Sequence, residues 1–472
     1  MLFTSLEFLL FFLPIVITAN VVMPRKAQNT WLLVTSLLFY AWGEPFFVFV
    51  MAGSIVINYS LALMIDKNKD RSMIRRIILV IGVLINLGVL FVYKYMNFVT
   101  SILHQYDSNI KVTEYVLPIG ISFYTFQALS YVVDVYRGEK AQKNPINVGL
   151  YIALFPQLIA GPIVRYGDIK CQLSERSVTV DKFSEGMIRF LIGFNKKMLI
   201  ANMVAIVSDQ AFSMDSGRTV FMAWMGALCY TLQIYFDFSG YSDMAIGLGK
   251  MMGFELPKNF DYPYVSKTIT EFWRRWHISL GQWFKDYLYF PLGGSRVSSK
   301  IRVIFNLMFV WLMTGIWHGA NKTFILWGIM YGILISFEKI LAIPLKTEKN
   351  KFSKLVYQVF TMLVVMIGWV IFRSEHLHAA YRYVLDLLGL RGGGLVNYTD
   401  IFWVREYGMY IALGILFSFP IAKNAVRKLK DKNIVMDNIV DAAIYLANIA
   451  LFAVGISYLV ISAHNPFIYF NF

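Results

Sequence analysis

The chain has 472 residues, of which 57% are apolar and only 15% are charged, and its mean hydropathy is +0.56. Soluble domains carry about one quarter charged residues, so this composition excludes a soluble protein and predicts an integral membrane protein. The net charge of +15 would suit nucleic acid, but the basic residues form short clusters between apolar runs. Such clusters indicate loop orientation and contact with anionic lipid, and we expect no nucleic-acid partner. Cys171 and Cys229 have neither metal-ligand nor disulfide spacing, and we expect both to be buried.

Apolar segments of ~20 residues predict about eleven membrane crossings within one domain over residues 1–472, some of them short or broken. The first, Leu6 to Met23, lacks a basic start and a small-residue cleavage site, which favours a retained helix over a signal peptide. Basic loops such as Pro24 to Lys26 and Asp66 to Arg76 are predicted to be cytoplasmic. Both termini are then expected outside the cytoplasm, in a protein of the cell membrane.

The segment from Val116 to Tyr136 carries polar residues along one helical stripe. Gln127, Ser130 and Asp134 stand at i, i+3 and i+7. Lipid cannot satisfy such a stripe, so it must face another helix or a wet cavity. Hydrogen bonding between helices is favoured, and a tunnel lining stays open. The next segment, Leu150 to Val164, contains two prolines and a glycine, which predicts a re-entrant element rather than a crossing.

Two carboxylates, Asp237 and Asp243, stand in an otherwise apolar segment. They are six residues apart, roughly 240° around a helix, so they do not share a face. This disfavours a paired-carboxylate acid/base site. Their expected partners are basic residues farther along the chain.

Residues 258–300 form the most mixed part of the chain and are predicted to be an amphipathic or re-entrant region on the cytoplasmic side. Thr270 can cap a helix there. Three tryptophans at helical spacing are expected at headgroup level, with basic side chains reaching phosphates. The tryptophans are Trp273, Trp276 and Trp283, and the basic candidates are Arg274, Arg275, His277 and Lys285.

One histidine, His318, stands between two apolar runs in the pair of helices predicted over residues 301–341. An ionisable side chain inside a membrane is a functional-site candidate, although a histidine satisfied by a neighbouring helix fits the residue type equally well. Gly315 and Gly319 leave the backbone open to close approach by a helix or ligand. Trp317 and Asn321 flank the histidine and join it as candidates. We expect no metal site.

Several long motifs resemble the membrane-bound O-acyltransferases. Within that family they are most similar to the membrane subunits of bacterial alginate O-acetyltransferases, and the D-alanyl transferases that act on teichoic acid are a more distant branch. The motifs are LFTSLEFLLFFLP near the N-terminus, LPIGISFYTFQALSYVVDVYRGE (117–139), YFDFSGYSD (235–243), FWRRWHISLGQWFKDYLYFPLGG (272–294) and GIWHGA (315–320).

The resemblance implies a helical ring around a thin centre, with a tunnel in which an acyl group from a cytoplasmic thioester meets an acceptor hydroxyl. The family's catalytic histidine corresponds to His318, and its second position corresponds to His277. The donor would be acetyl-CoA or an acyl carrier protein as co-substrate, with no bound cofactor. The resemblance also implies an extracytoplasmic partner with an esterase-like Ser-His-Asp fold, which completes transfer to a polysaccharide.

Acyl transfer to a hydroxyl needs a base, and histidine is the usual choice. We therefore expect His318 to take the hydroxyl proton. His277 is expected to position or polarise the donor, or to hold its helix through a structural hydrogen bond. Arg274, Arg275 and Lys285 can attract the phosphates of the donor, but for each of them singly membrane anchoring or pairing with Asp237 or Asp243 is favoured.

The last eight residues, 465–472, form an aromatic tail predicted to lie outside the cytoplasm. Phe467-x-Tyr469-x-x-Phe472 is similar to a C-terminal motif on a small companion protein of teichoic acid D-alanylation, whose tyrosine is implicated as an acyl relay. By that resemblance Tyr469 would accept the acyl group and pass it on. An interfacial aromatic belt is the alternative.

The sequence thus predicts a multi-pass O-acyltransferase that moves an acetyl group across the membrane onto an extracytoplasmic polysaccharide. D-alanyl transfer to teichoic acid and O-acetylation of peptidoglycan are alternatives within the same chemistry. A transporter whose polar stripe and histidine line a substrate path is an alternative of another class. The lack of an inverted repeat weakens it.

Overall fold

A computed structural model describes residues 1–343, 351–431, 433–461 and 468, and every regular element in these ranges is helical. The all-α prediction is therefore confirmed. The α-helices are Leu13–Val22 (α1), Arg25–Gly43 (α2), Phe47–Lys67 (α3), Ser72–Lys94 (α4), Met96–Tyr106 (α5), Ile121–Tyr136 (α6), Pro145–Ala153 (α7), Phe155–Leu158 (α8), Tyr166–Glu175 (α9), Val180–Asn195 (α10), Asn202–Ser213 (α11), Val220–Met251 (α12), Ile269–Arg275 (α13), Ile278–Phe284 (α14), Lys300–His318 (α15), Lys322–Ile340 (α16), Lys351–Arg373 (α17), Leu377–Leu387 (α18), Tyr398–Phe417 (α19), Ile421–Lys430 (α20) and Ile434–Ile461 (α21). Short π-helical segments occupy Phe8–Phe12, Lys196–Ala201 and Lys285–Tyr289, and Pro263–Val265 is a 3₁₀ turn.

Seven helical stretches within the described ranges are long and apolar enough to cross a membrane. They are Phe47–Lys67, Ser72–Lys94, Val180–Ser213, Lys300–His318, Lys322–Ile340, Phe352–Arg373 and Ile434–Ile461. The pair α19 and α20, bent by 60°, makes an eighth if it counts as one span. A multi-pass membrane protein is thereby confirmed. The count of about eleven crossings and the side on which the termini lie stay predictions.

The helices gather into two compact units, one of residues 1–190 with 242–258 and the other of residues 191–241 with 259–472. Helices α10 and α12 each contribute residues to both units. The units are therefore not two domains in series along the chain, and a single domain over residues 1–472 stays a prediction.

The first unit contains the predicted polar stripe. On α6, Gln127 and Ser130 are fully buried, and Ser130 Oγ lies 2.8 Å from the hydroxyl of Tyr151 on α7. This hydrogen bond between helices gives Ser130 the partner that lipid cannot offer, whereas the side-chain amide of Gln127 has no hydrogen-bond partner within the described ranges. The half-buried Asp134 follows on the same helix. Helices α7 and α8 are buried and have nine and four residues, too few to cross a membrane, as a re-entrant element requires.

The second unit is built around the close contact of α15 and α16. A Cβ added at Gly315 would lie 2.4 Å from the carbonyl oxygen of Phe324, and one added at Gly328 would lie 2.5 Å from that of Trp311. Only glycine permits this spacing, which is how membrane helices approach closely enough for dense packing. The predicted helix pair and the open backbone at Gly315 are confirmed.

The region 258–300 contains two seven-residue helices, α13 and α14, so its tryptophans do not follow one continuous helix. Its place on the cytoplasmic side stays a prediction. The break falls at His277, whose φ of 45° is left-handed and cannot continue a helix. Thr268, and not Thr270, caps α13 by accepting a hydrogen bond from the backbone N–H of Glu271 at 3.1 Å.

Two of the three tryptophans of this region are buried within the protein. Trp276 and Trp283 are 4% and 7% exposed. Trp276 packs at 4.8 Å on the ring of Trp369 in α17. Their position at headgroup level stays a prediction. One cysteine prediction is wrong, because Cys171 is exposed, whereas Cys229 is buried as expected.

Candidate active site

His318 is the last residue of α15 and is 5% exposed. Its imidazole is enclosed by aromatic rings, with centroids at 5.0 Å for Trp317, 5.2 Å for Trp327 and 5.1 Å for Phe372. A Cβ added at the next residue, Gly319, would lie 2.4 Å from the Phe324 ring, so any larger residue would require this ring to move. The close turn therefore brings Phe324 beside the histidine and shields it from water.

A cavity of about 1180 Å³ opens beside this aromatic enclosure. Phe324 and Phe372 belong to its wall, and both rings also contact the His318 ring, with centroids at 6.5 and 5.1 Å. Asn321 also lines it, caps α16 by accepting from Thr323 N–H, and donates to the carbonyl of Glu375 at 2.7 Å. A volume of this size can hold a ligand larger than a typical drug molecule. Two rings of the cavity wall are thus direct neighbours of the imidazole.

Four arginines lie in the wall of the cavity. Arg373, next to Phe372, pairs with Asp209 at 2.5 Å, and its guanidinium lies 4.5 Å from the ring centroid of Phe212. Arg218 and Arg391 share the buried carboxylate of Asp386, at 2.5 and 2.9 Å. A fourth arginine in the wall, Arg382, donates to the backbone carbonyl of Asp215. Three acidic residues, Asp209, Asp215 and Glu375, also line the cavity, so its wall carries charges of both signs and suits a polar ligand.

His277 and His318 both contact the ring of Trp317. The indole centroid is 6.2 Å from the His277 ring and 5.0 Å from the His318 ring, and Trp317 itself is buried. The structure thus brings together three residues that the motifs singled out. His277 is 2% exposed, and burial lowers the pKa of its imidazole from 6.5 to about 3, so the ring is neutral at physiological pH.

Asn259 is the polar partner of His277. Its Oδ1 lies 3.1 Å from His277 Nδ1, 2.9 Å from the hydroxyl oxygen of Ser279 and 3.3 Å from the backbone nitrogen of Ser279. The Asn259 carbonyl also accepts from the N–H of Ile278 at 2.9 Å. One residue therefore holds the backbone and the side chain at the break between α13 and α14. No periodicity or spacing in the sequence links positions 259 and 277.

Glu338, on α16, fixes the helix that leads to His277. Its carboxylate is fully buried and accepts from Ile269 N–H at 2.7 Å, from the N–H and hydroxyl of Thr270 at 2.8 and 2.5 Å, and from the hydroxyl of Tyr357 at 3.1 Å. A carboxylate at a helix N-terminus satisfies donors that the helix leaves open. Sequence reasoning missed this residue, although a carboxylate in the apolar run of α16 was a usable signal.

The partners of Asp237 and Asp243 lie upstream, which corrects the expectation of downstream partners. Lys197 Nζ is 2.7 Å from Asp237 Oδ1, and Arg189 Nε is 3.0 Å from Asp243 Oδ1. Helix α12 packs against the segment that contains α10 and Lys197, and this neighbour supplies the cations. Asp237 Oδ2 also accepts from the backbone N–H of Ile468 at 3.0 Å. Ile468 is buried and lines the cavity.

Comparison with known proteins identifies the family. Residues 141–378, about half of the chain and including both histidines, match the family model of the membrane-bound O-acyltransferases. The chain is 45% identical to the probable alginate O-acetylase AlgI of Pseudomonas syringae pv. tomato, over 81% of this chain and 74% of the relative. The chain belongs to the membrane-bound O-acyltransferase family. It is an O-acyltransferase, as its motifs predicted.

Two further relatives of this O-acyltransferase carry other names. One is the peptidoglycan O-acetyltransferase of Helicobacter pylori, 32% identical over 100% of this chain and 98% of the relative. The other is the teichoic acid D-alanyltransferase of Bacillus subtilis, 27% identical over 55% of this chain and 69% of the relative. The predicted relation to both acetyl and D-alanyl branches is confirmed, and the acyl group is not decided by family membership alone.

The basic candidates for donor binding are spread over the surface of the acyltransferase. Arg274 is exposed, and Lys285 is exposed with its ammonium 5.4 Å from the Phe290 ring. Arg275 is paired, at 3.0 Å with Glu271 and 3.5 Å with Asp261. The predicted alternative of pairing with Asp237 or Asp243 is therefore wrong for Arg275. Phosphate attraction by Arg274 and Lys285 stays a prediction.

Four other residues predicted to belong to the tunnel or the acyl relay are not among the site residues described above. Gln127, Ser130 and Asp134 belong to the first unit, and their role as tunnel residues stays a prediction. Tyr469 lies outside the described residues, as does the rest of the 465–472 tail apart from Ile468.

Proposed function

We propose that this O-acyltransferase takes an acetyl group from a cytoplasmic thioester and carries it across the membrane for O-acetylation of an extracytoplasmic polysaccharide. Two relatives align with this chain over their full or nearly full length at 32% identity or more. One is named for O-acetylation of alginate and the other for O-acetylation of peptidoglycan. The D-alanyltransferase is less similar and aligns over a shorter part of the chain. These similarities support acetyl as the acyl group.

The single observation that carries the proposal is the setting of His318. A buried histidine contacts two rings that line a large polar cavity, and it packs on Trp317, which also contacts a second buried histidine. A site that excludes water protects a thioester from hydrolysis while it waits for its acceptor. A transport path would need neither the aromatic enclosure of the imidazole nor its exclusion from water.

In the proposed reaction His318 acts as general base. The acceptor hydroxyl oxygen attacks the thioester carbonyl carbon, a C–O bond forms and the C–S bond breaks. His318 accepts the hydroxyl proton, and that proton leaves with the thiolate as a free thiol. A positioned base is worth ~10²–10⁴ in rate. The donor is acetyl-CoA or an acyl carrier protein, and no resident cofactor is needed.

The first acceptor in this proposal is the phenol of Tyr469. Support comes from its chain neighbour Ile468, which is buried, lines the cavity and donates its backbone N–H to Asp237. A tethered hydroxyl has a high effective concentration. A phenyl ester is also a better acyl donor than a sugar ester. An extracytoplasmic esterase-like acetyltransferase would then move the group to the polysaccharide.

The experiment that tests the function uses cells that make the native protein, His318→Ala or His104→Ala at matched membrane levels. Mild alkali releases esters from the cell-surface glycans, and the freed acid is identified. His104 is an exposed histidine whose Nδ1 lies 2.8 Å from a local backbone carbonyl, so its replacement is the matched control.

Acetate that is present with the native protein and with His104→Ala, and lost with His318→Ala, is the expected result. D-alanine released in place of acetate would move the protein to the other branch and overturn the acetyl assignment. An ester content unchanged by His318→Ala would overturn the role of His318 and favour the transporter.

A further inference from the structure

The Asn259 side-chain amide has one possible orientation. The backbone N–H of Ser279 points at the Asn259 atom 3.3 Å away, and a backbone N–H can only donate. That atom is therefore the carbonyl oxygen and not the NH₂ group. The hydroxyl of Ser279, 2.9 Å from the same oxygen, is a second donor to it.

This orientation decides the proton position on His277. The Asn259 oxygen accepts only, and it lies 3.1 Å from His277 Nδ1. Nδ1 must therefore carry the ring proton of the neutral imidazole, and Nε2 must present a lone pair. A histidine whose one nitrogen is bonded to a fixed acceptor is held in one tautomer and one ring orientation.

The Nε2 atom is buried and has no hydrogen-bond partner within the described ranges. Leaving a buried acceptor unsatisfied costs ~1–3 kcal/mol, and a bound ligand with an N–H or O–H group would remove this cost. The ring contacts Phe238, at 4.6 Å, and Trp317, at 6.2 Å, and Trp317 also contacts His318. The lone pair therefore belongs to the same aromatic enclosure as the proposed base.

The backbone at His277 adds to this. Its left-handed φ of 45° is unusual for a residue with a Cβ and is retained at a cost of ~1–3 kcal/mol. The Ile278 N–H donated to the Asn259 carbonyl and the Gly281 N–H donated to the His277 carbonyl hold it there. A histidine kept in a strained conformation by specific partners is a positioned side chain.

We infer that Asn259 is a positioning residue that fixes His277 with its proton on Nδ1, so that Nε2 accepts a hydrogen bond from an N–H or O–H group of a substrate. Two substrate groups share this chemistry: an amide N–H on the arm of the thioester donor and the hydroxyl of the acceptor. In this tautomer Nε2 has no proton to give to a thioester carbonyl. Of the two roles expected for His277, positioning is favoured over polarising. The inference rests on the proposed function for its substrates, but not for the tautomer.

The tautomer can be measured without turnover. The purified full chain, labelled with ¹⁵N in its histidine rings and held in detergent, is observed by NMR at neutral pH. The His277→Gln variant, which lacks one pair of ring signals, assigns them. A protonated Nδ1 and an unprotonated Nε2 are expected. Protonated Nε2 would overturn the inference, whatever the enzyme's acyl donor proves to be.

Kinetics then test the substrate contact with Asn259→Leu and Asn259→Asp. Leucine removes the acceptor at Nδ1 and lets the imidazole change tautomer, while aspartate retains an oxygen for Nδ1–H and for both Ser279 donors. The loss of one neutral hydrogen bond predicts a ~3- to 10-fold rise in KM with Asn259→Leu, with a smaller change in kcat. Asn259→Asp should restore the native KM.

The two sources are separated by the substrate whose KM rises. A rise for acetyl-CoA assigns the contact to the donor amide, and a rise for a phenol acceptor assigns it to the hydroxyl. An equal fall of kcat in both variants with native KM values would reveal a structural role only and overturn the inference. If the native protein shows no acetyl transfer at all, the proposed function fails, and the NMR result still decides the tautomer.

Discussion

Lys197 Nζ and Asp237 Oδ1 form an ion pair of 2.7 Å in which each side chain is only 2% exposed. Lys197 lies in the π-helical segment Lys196–Ala201, and a π turn inside a long helix shifts the side chains that follow. Oδ1 of the aspartate contacts the ammonium, and its Oδ2 accepts a hydrogen bond from the backbone N–H of Ile468. The pair thereby connects the core of the second unit to the residue next to Tyr469.

Removing one member of this pair should destabilise the protein strongly. Lys197→Met leaves a buried carboxylate without its cation, and we expect a loss of ~3–5 kcal/mol in the free energy of unfolding. The double variant Lys197→Met with Asp237→Leu should recover a large part of it, since no uncompensated charge remains. Thermal unfolding in detergent, followed by tryptophan fluorescence, measures both.

The matched control is an ion pair that is more exposed. Lys250 pairs with Glu185, whose side chain is 62% exposed, and Lys250→Met should cost no more than ~1 kcal/mol. Equal losses for Lys197→Met and Lys250→Met would contradict the importance of burial. A double variant less stable than the single one would contradict the account of the uncompensated charge.

Glu338 provides a second prediction, because four donors converge on one carboxylate. In Glu338→Gln one carboxylate oxygen becomes an NH₂ group. That group must face one of the two backbone N–H groups, and it cannot accept a hydrogen bond from it. We expect a loss of ~2–3 kcal/mol in stability and at least a tenfold fall in kcat/KM, since α13 leads directly to His277. Unfolding and acetyl-transfer assays on the same preparation measure the two effects.

The control for Glu338 is Tyr357→Phe, which removes one of the four donors and leaves the helix cap complete. It should cost ~1 kcal/mol and leave kcat/KM within a factor of two. A Glu338→Gln protein with native kcat/KM would show that α13 does not need this cap to place His277.

Some of these features followed from the sequence and others did not, for physical reasons. The apolar runs around His318 and the glycine at 315 predicted a tight helix pair because lipid and close packing restrict residue types directly. The long motifs predicted the family. Contacts such as those of Asn259 with His277 depend on a left-handed residue that ends a helix early. The residue type at position 277 does not predict a left-handed backbone conformation.

The partners of charges were the least predictable part of the site. Asp237 needed a cation, but whether it came from upstream or downstream depended on which helix packs beside α12. Trp276 and Trp283 have the same spacing in the sequence whether their rings face lipid headgroups or an aromatic core. Helix spacing fixes which side chains share a face, and tertiary packing decides what that face meets.

The pKa of His277 gives a pH-dependent stability. Burial lowers it to about 3 in the folded protein, whereas the unfolded chain titrates near 6.5. Between these pH values the unfolded state binds a proton that the folded state does not bind. The free energy of unfolding therefore rises with pH and reaches its full value above pH 6.5. Acidification from pH 7.5 to pH 5 should remove ~2 kcal/mol through this group.

Unfolding of the native protein and of His277→Gln in detergent, at several pH values between 5 and 7.5, isolates this contribution. Glutamine does not titrate, so the difference in unfolding free energy between the two proteins should change by ~2 kcal/mol over that range. Parallel stability curves would mean that the imidazole is not desolvated in the folded state.

Tyr469→Phe tests the acyl relay and separates it from an aromatic belt. Phenylalanine keeps the ring but has no oxygen to accept an acyl group, so a relay must fail while a belt survives. We expect the acetyl esters on cell-surface glycan to fall at least tenfold, with the protein present at native levels in the membrane. Tyr458→Phe is the matched control: that hydroxyl bonds to the hydroxyl of Tyr410 at 3.1 Å, and its loss should leave the esters unchanged.

Mass spectrometry of the C-terminal peptide should find an added acetyl group with the native protein and none with Tyr469→Phe or His318→Ala, because the base is needed to load the phenol. Native ester content with Tyr469→Phe would show that His318 serves another hydroxyl and that the tail only anchors the chain.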